Sequence, residues 1–289
     1  MPRKDKLTAT RDAIVTMDNN LIQHSKYTLS ANAQKLLLYL IAQTGRYDTE
    51  FQPIEFSLID FCKVCDTAIG TKTYQLAKET IQEIADVSAW VRCADGKDRL
   101  LRWITDAEAE EKTDLSDSWK GGYITIKFHK EMENFLLHLR SHFTQLEMLY
   151  ILGFRHKYTI RLYMICKSIG NETGRQTTIK YALQDFKNLM GAFTWTNTKH
   201  KRQIYLYPDF KDFKRRVITP ALEEVNAMSD VHVTITPLKT GNKVTAIELS
   251  TCRKTLEETL AVSTLIERKL GMNSNQLTLW SIAEEQADE

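Results

Sequence analysis

Apolar residues recur at helical spacing early in the chain. Ala33, Leu36, Leu37, Leu40 and Ile41 share one face of a helix that the pattern places at 31–44. Ser57 reads as the N-cap of a short amphipathic helix over 58–65. A third helix, 72–85, turns Tyr74, Ala77, Ile81 and Ile84 inward. Strand-like runs follow at 89–93, 100–104 and 122–128. Between the last two, the acidic stretch from Asp106 to Asp117 reads as a loop, and a helix at 130–139 closes this half. The order then repeats. A helix at 157–168 carries Ile160, Tyr163 and Met164, and a short helix covers 181–190. A third begins near Pro208 and carries Phe210, Phe213, Val217, Ala221 and Val225. Two alternating strands, 231–236 and 243–249, are joined by the turn Lys239-Thr240-Gly241-Asn242, a hairpin signal.

Three helices followed by a hairpin is the order of a winged helix. Its recurrence predicts an α+β fold of tandem winged-helix domains, each a three-helix core with a β-hairpin wing. The expected divisions are a flexible basic tail at 1–19, an N-terminal winged helix at 20–145 and a C-terminal one at 146–252. A helix and a flexible acidic tail fill 253–289. The duplication rests on element order alone, because the halves show no obvious self-similarity. An unrelated α+β protein is the alternative.

Composition narrows the function. With 289 residues, 43% hydrophobic and 26% charged, the chain fits two folded domains of ordinary size. The longest apolar run, Leu36 to Ala42, is too short for a bilayer, and no apolar stretch follows the basic start Met1–Lys6. No membrane contact and no signal peptide are expected. Five cysteines fit a reducing, cytoplasmic setting. No glycine-rich dinucleotide loop occurs, and the Gly170–Arg175 turn lacks the lysine of a phosphate loop. His138 and His142 stand four apart without a third ligand nearby, and read as surface or boundary histidines. Cys62 and Cys65 read as two small buried hydrophobes rather than a metal or redox pair. No catalytic residue, metal or cofactor is expected.

Charge is where the chain is lopsided. The total is +2, yet residues 153–220 hold 14 basic and 4 acidic residues, so this segment is +10 and the remainder −8. Such a split marks a polyanion-binding module. The third helix of the first half is neutral. The third helix of the second half carries Lys211, Lys214, Arg215 and Arg216, behind a basic loop with Lys199, Lys201 and Arg202. On an ideal wheel Arg215 and Arg216 point away from the apolar face and Lys211 lies at its flank. Lys214 falls close to the apolar stripe, where it snorkels out or serves structure. Arginines on the early turns of such a helix suit the major groove. Lys239 and Lys243 at the hairpin tip complete the expected DNA-contacting set.

These residues resemble the theta-type plasmid replication initiator family, whose members bind iterons through two winged-helix domains. The matching runs are Asn20-Leu-Ile with Leu36-Leu-Leu, Phe135 to Thr144, Lys157-Tyr-Thr-Ile-Arg-Leu-Tyr163 and Asp212 to Asn226, and the resemblance covers about 20–250. It implies a first domain that dimerises and touches one end of the repeat, and a second that reads the major groove with its third helix. It assigns DNA contact to Lys211, Arg215 and Arg216, with Arg161 on a phosphate and a matching lysine at Lys214. It also implies double-stranded origin repeats as ligand, monomer–dimer exchange with repression of the protein's own gene, and host replication partners: initiator, helicase and chaperones, with the sliding clamp expected instead from a C-terminal motif. Dimer contacts are expected from the strands that carry Trp90, Trp103 and Tyr123 unless these aromatics only fill the domain's own core. A plain winged-helix repressor is the alternative. A nickase or recombinase fits less well, because the His-x-His spacing of nicking initiators is absent. Near the C-terminus, Gln276-Leu277-Thr278-Leu279-Trp280 resembles the bacterial clamp-binding pentapeptide. Its alternative is an apolar latch folded back on the second domain.

Overall fold

A computed structural model describes residues 12–45, 48–68, 70–93, 96–110, 122–170, 174–195 and 202–271. The first strand, β1 (Ile14–Asp18), buries Val15 and Met17 and leads through Asp18, an N-cap, into α1 (Asn19–Gln23). After the two-residue strand β2 (Ser25–Lys26), Ser30 caps α2 (Ala31–Ala42), and the Glu83 carboxylate accepts from the backbone and hydroxyl of Ser30. Strand β3 (Ile54–Ser57) ends in the capping box of α3 (Leu58–Cys65), where Ser57 and Asp60 satisfy each other's backbone N–H groups. Helix α4 (Thr73–Asp86) buries Ala77, Ile81 and Ile84. Four strands follow: β4 (Ser88–Arg92), β5 (Asp98–Arg102), β6 (Ile104–Glu110) and β7 (Tyr123–Phe128). A 3₁₀ turn at Lys130–Met132 leads into α5 (Glu133–Leu136), and β8 (Phe143–Glu147) returns to pair antiparallel with β1.

The second half begins with α6 (Met148–Gly153) and α7 (Lys157–Ile169), then β9 (Thr177–Ala182) and α8 (Leu183–Leu189). A small hairpin, β10 (Phe193–Trp195) with β11 (Gln203–Tyr205), precedes the longest helix. That helix, α9, is continuous from Phe210–Phe213 through a π-helical turn, Lys214–Ile218, to Thr219–Met228. Strands β12 (Val231–Thr240) and β13 (Lys243–Arg253) form a long antiparallel pair. Gly241, at φ +60°, takes the first central position of their two-residue turn, where a side chain would be strained. Helix α10 (Leu256–Lys269) is capped by Thr255 and Glu258 and docks Ile266 on Gly153.

The duplication shows in the topology. Helix α2, β3, α3, α4 and the β6–β7 hairpin correspond to α7, β9, α8, α9 and the β12–β13 hairpin. In each half the strand after the first helix pairs with the second strand of the wing, giving sheets ordered β3-β7-β6 and β12-β13-β9. Each half inserts one extra hairpin at a different point, β4–β5 after α4 and β10–β11 before α9. One apolar core runs through both halves, from Val15 to Ile266.

Several expectations change. Residues 14–18 belong to a strand with Val15 and Met17 buried rather than to a tail, because β8 supplies their backbone partners. Residues 106–110 of the acidic stretch are ladder-paired with β7, and only 111–121 lie outside the described residues. The helix expected at 130–139 is a 3₁₀ turn and a single α turn. His138 and His142 both take φ +55°, so they lie on no common helix face. Strands β3 and β9 add to the elements that apolar periodicity predicts. Cys62 and Cys65 are buried, and burial pushes the Cys65 thiol up to about 12. Among the described residues, no helix is long and apolar enough to cross a membrane.

Because β1 is structural, Met17→Ala should cost about 2–5 kcal/mol, the range for emptying a buried Met site. Urea unfolding of the full chain measures it. A change within error of zero would return residues 14–18 to the tail.

Candidate nucleic-acid interface

Helix α9 is held from below. Phe213, Val217, Ile218, Ala221 and Val225 are buried, and Phe213 meets Phe186 of α8 edge-on, with ring centroids 6.2 Å apart. Lys211, Lys214, Arg215 and Arg216 are all exposed. They fall within six consecutive residues and form one basic outer surface. Asp212 holds Arg215 in an exposed ion pair at 2.7 Å, three residues apart. Such a pair is weak in water, so a phosphate or base edge can displace it at little cost.

Lys214 is exposed, which fits the first of the two roles the wheel leaves open for it, snorkelling out. Within the π turn, the Thr219 N–H bonds to the Lys214 carbonyl, five residues back. The cause of this turn is Pro220. A proline inside a helix lacks the N–H for the carbonyl four residues back and crowds it, and a π turn relieves the crowding.

Lys187 joins the site although its sequence context gives no hint of it. It is fully buried in α8, and its Nζ donates to the Tyr207 and Pro208 carbonyls, each at 2.8 Å. These carbonyls lie just before α9, so Lys187 fixes where the basic helix begins. The ammonium also stands 5.3 Å from the Phe213 ring centroid. Burial lowers its pKa, an effect that Asp209 opposes.

Arg202 is exposed just before β11, on the hairpin that leads into α9, while Lys199 and Lys201 lie outside the described residues. Lys239 and Lys243 are exposed at either side of the wing turn. The segment Gln276–Trp280, with Leu277 and Leu279, also lies outside the described residues.

Arg161 does not belong to this surface. It is 3% exposed, and its guanidinium is fully engaged inside the protein. The reason is positional: Arg161 faces the first domain from the middle of α7. Lys187 and Arg161, with Lys167 ion-paired to Asp230 and Glu147, show that part of the +10 segment is spent inward. Trp103 is likewise buried, edge-on to Tyr27 at 5.2 Å, so it fills the first domain's own core.

Two three-helix cores, each with a hairpin wing in a three-stranded sheet, define a tandem winged-helix protein. Family comparison adds the rest. The model described as "Initiator Replication protein, WH1" matches residues 14–167, and that described as "Initiator Rep protein, WH2" matches residues 182–251. The chain belongs to this replication initiator family. Among solved structures, the Pi initiator protein in complex with iteron DNA matches with a TM-score of 0.65 at 17% identity, over 84% of this chain and 98% of that one. Domains 2 and 3 of RctB match more weakly, with a TM-score of 0.43 at 11% identity, over 78% of this chain and 81% of that one. Comparison with curated protein sequences finds no match.

Lys187→Met leaves two carbonyls without a donor and should cost about 1–3 kcal/mol in urea unfolding. An unchanged unfolding midpoint would remove Lys187 as the anchor of α9.

Proposed function

We propose that this chain is a plasmid replication initiator that binds repeated origin DNA, with α9 as the reading helix. The observation that carries the reading is the exposed cluster of Lys211, Lys214, Arg215 and Arg216 on the third helix of the WH2 domain. Phosphates are taken by the wing-tip Lys239 and Lys243 and by the loop residues Lys199, Lys201 and Arg202. The relative solved on iteron DNA, the Pi initiator, supports the choice of repeats as ligand. Monomers occupy direct repeats, distort the neighbouring duplex and recruit host replication proteins.

Dimer exchange, with repression of the protein's own gene, is assigned to the first domain. Trp90 and Leu100 face each other across the β4–β5 pair and are 43% and 50% exposed, an apolar surface suited to a second copy. Tyr123 is half-buried and contributes at most an edge. Clamp binding by Gln276, Leu277, Leu279 and Trp280 rests on the chemistry of the pentapeptide, in which an apolar residue pair enters a cleft and a glutamine bonds at its rim. A plain repressor shares the DNA-binding surface. The two differ in that a plasmid with only this gene and its flanking repeats replicates if the protein is an initiator.

Two measurements test the surface. Arg215→Ala and Arg216→Ala should fold normally and weaken binding by about 1–3 kcal/mol in a base-selective way. Unchanged footprints in both variants would remove α9 as the reader. Neutralising Lys199, Lys201 and Arg202 should weaken binding to every sequence alike. It should flatten the log–log salt dependence by about 0.9 for each phosphate left without its cation. An unaltered salt slope would place the loop off the DNA.

A further inference from the structure

The two domains are joined by more than the chain between them. Arg161 Nε donates to the Leu189 carbonyl at 2.7 Å, on its own domain's α8. The other bonds of its guanidinium cross to the first domain. Nη1 donates to the Tyr27 hydroxyl at 3.1 Å, and Nη2 to the Ile22 carbonyl at 2.9 Å and to the carbonyl and hydroxyl of Ser25, each at 3.1 Å. The guanidinium carbon lies 4.7 Å from the Tyr27 ring centroid. Around it, Gln23 donates to the Ser168 carbonyl at 3.0 Å and Gln34 to the Lys157 carbonyl at 3.1 Å. Gly191, at φ +66°, approaches so closely that a Cβ there would stand 2.7 Å from the Tyr27 carbonyl oxygen.

An apolar seam tolerates sliding, because burial is non-directional. This seam does not. A planar guanidinium in fixed register with four oxygens of one short segment accepts a single relative placement of the two domains. That placement sets the separation between α4 and α9, the third helices of the two winged helices. DNA measures such a separation strictly. One inserted base pair shifts a contact patch by about 3.4 Å and turns it by about a tenth of a helical turn.

We propose that Arg161 is a positioning residue that fixes which spacing of contacts within a repeat the protein accepts. It touches no DNA itself. The proposal deepens the function above and rests on the reading that both domains contact the repeat.

The experiment is a spacing series. One, two and five base pairs are inserted between the parts of the repeat that each domain protects, and the affinity of the full-length protein is measured on each duplex. The wild type should bind about tenfold or more weakly after a single insertion, as one domain no longer reaches its part of the repeat. Arg161→Ala should bind the native spacing about tenfold more weakly, yet vary little across the series, because its domains are tethered rather than locked. Since removal of a buried charge can unfold the chain, Tyr27→Phe and Ser25→Ala are measured beside it. Each keeps Arg161 and removes one acceptor, and each should relax the spacing preference part of the way. Variants as spacing-strict as the wild type overturn the positioning role. A wild type indifferent to spacing overturns the two-domain reading instead, and the ruler falls with it.

Discussion

Arg161 brings a full positive charge to a place where its bonding partners are all neutral oxygens: three carbonyls and two hydroxyls. A buried charge without a carboxylate partner is stable only if its donors are satisfied with good geometry. Here the geometry needs residues 22–27 of the first domain and α8 of the second in place at once. Neither half offers that acceptor set alone. The guanidinium therefore couples the halves directionally, while the shared core of Leu36, Leu40, Ile160 and Tyr163 supplies the unspecific attraction. Two lysines reinforce the junction. Lys35 from α2 donates to the Leu152 carbonyl and Lys269 from α10 to that of Gly153, so the end of α6 is capped from both sides of the molecule. Burial lowers the pKa of both ammonium groups.

The same economy explains how two copies of one fold come to differ. Each copy has the same helix and strand order, yet α4 sets only Lys78 against Glu79, Glu83 and Asp86, while α9 carries four cations outward. The first copy turns polar residues to internal work. Glu83 braces Ser30, and Gln23 and Gln34 reach across the seam. Its wing strand β6 exposes Asp106 and Glu108, which a phosphate backbone repels. The second copy keeps its wing tip basic and anchors its helix with the buried Lys187.

The frame is legible in the sequence where periodicity is strong. Helices α2, α4 and α7 and the β12–β13 hairpin follow from apolar spacing and one Gly-Asn turn. Strand β9 is hidden because Thr177, Thr178 and Lys180 look polar, although threonine suits a strand and the run pairs along β13. Strand β1 is hidden because it gains its partner only from β8, more than a hundred residues later. The basic face of α9 and its arginines are legible because charge there outruns what a solvated helix face needs. The role of Arg161 is not, since nothing local separates a cation that meets phosphate from one that meets carbonyls across a domain seam. Net charge counts both alike.

Pro220 ties the seam and the surface together. It stands in α9 where a regular helix would forfeit a bond, and the π turn absorbs the deficit by widening around Lys214–Ile218. Glu224, one turn further on, accepts from the backbone N–H groups of Arg155 and His156 at the entry to α7, 2.8 and 3.2 Å away. The C-terminal half of α9 is thereby locked to the helix that holds Arg161. The N-terminal half, with the basic residues, is set by Lys187 and by the phase of the π turn. The basic helix is thus placed relative to the junction by the bonds of Lys187 and Glu224 rather than by its own exposed cations. A basic surface built this way can keep its own side chains open to a ligand without giving up their placement, which is what preorganisation for binding requires.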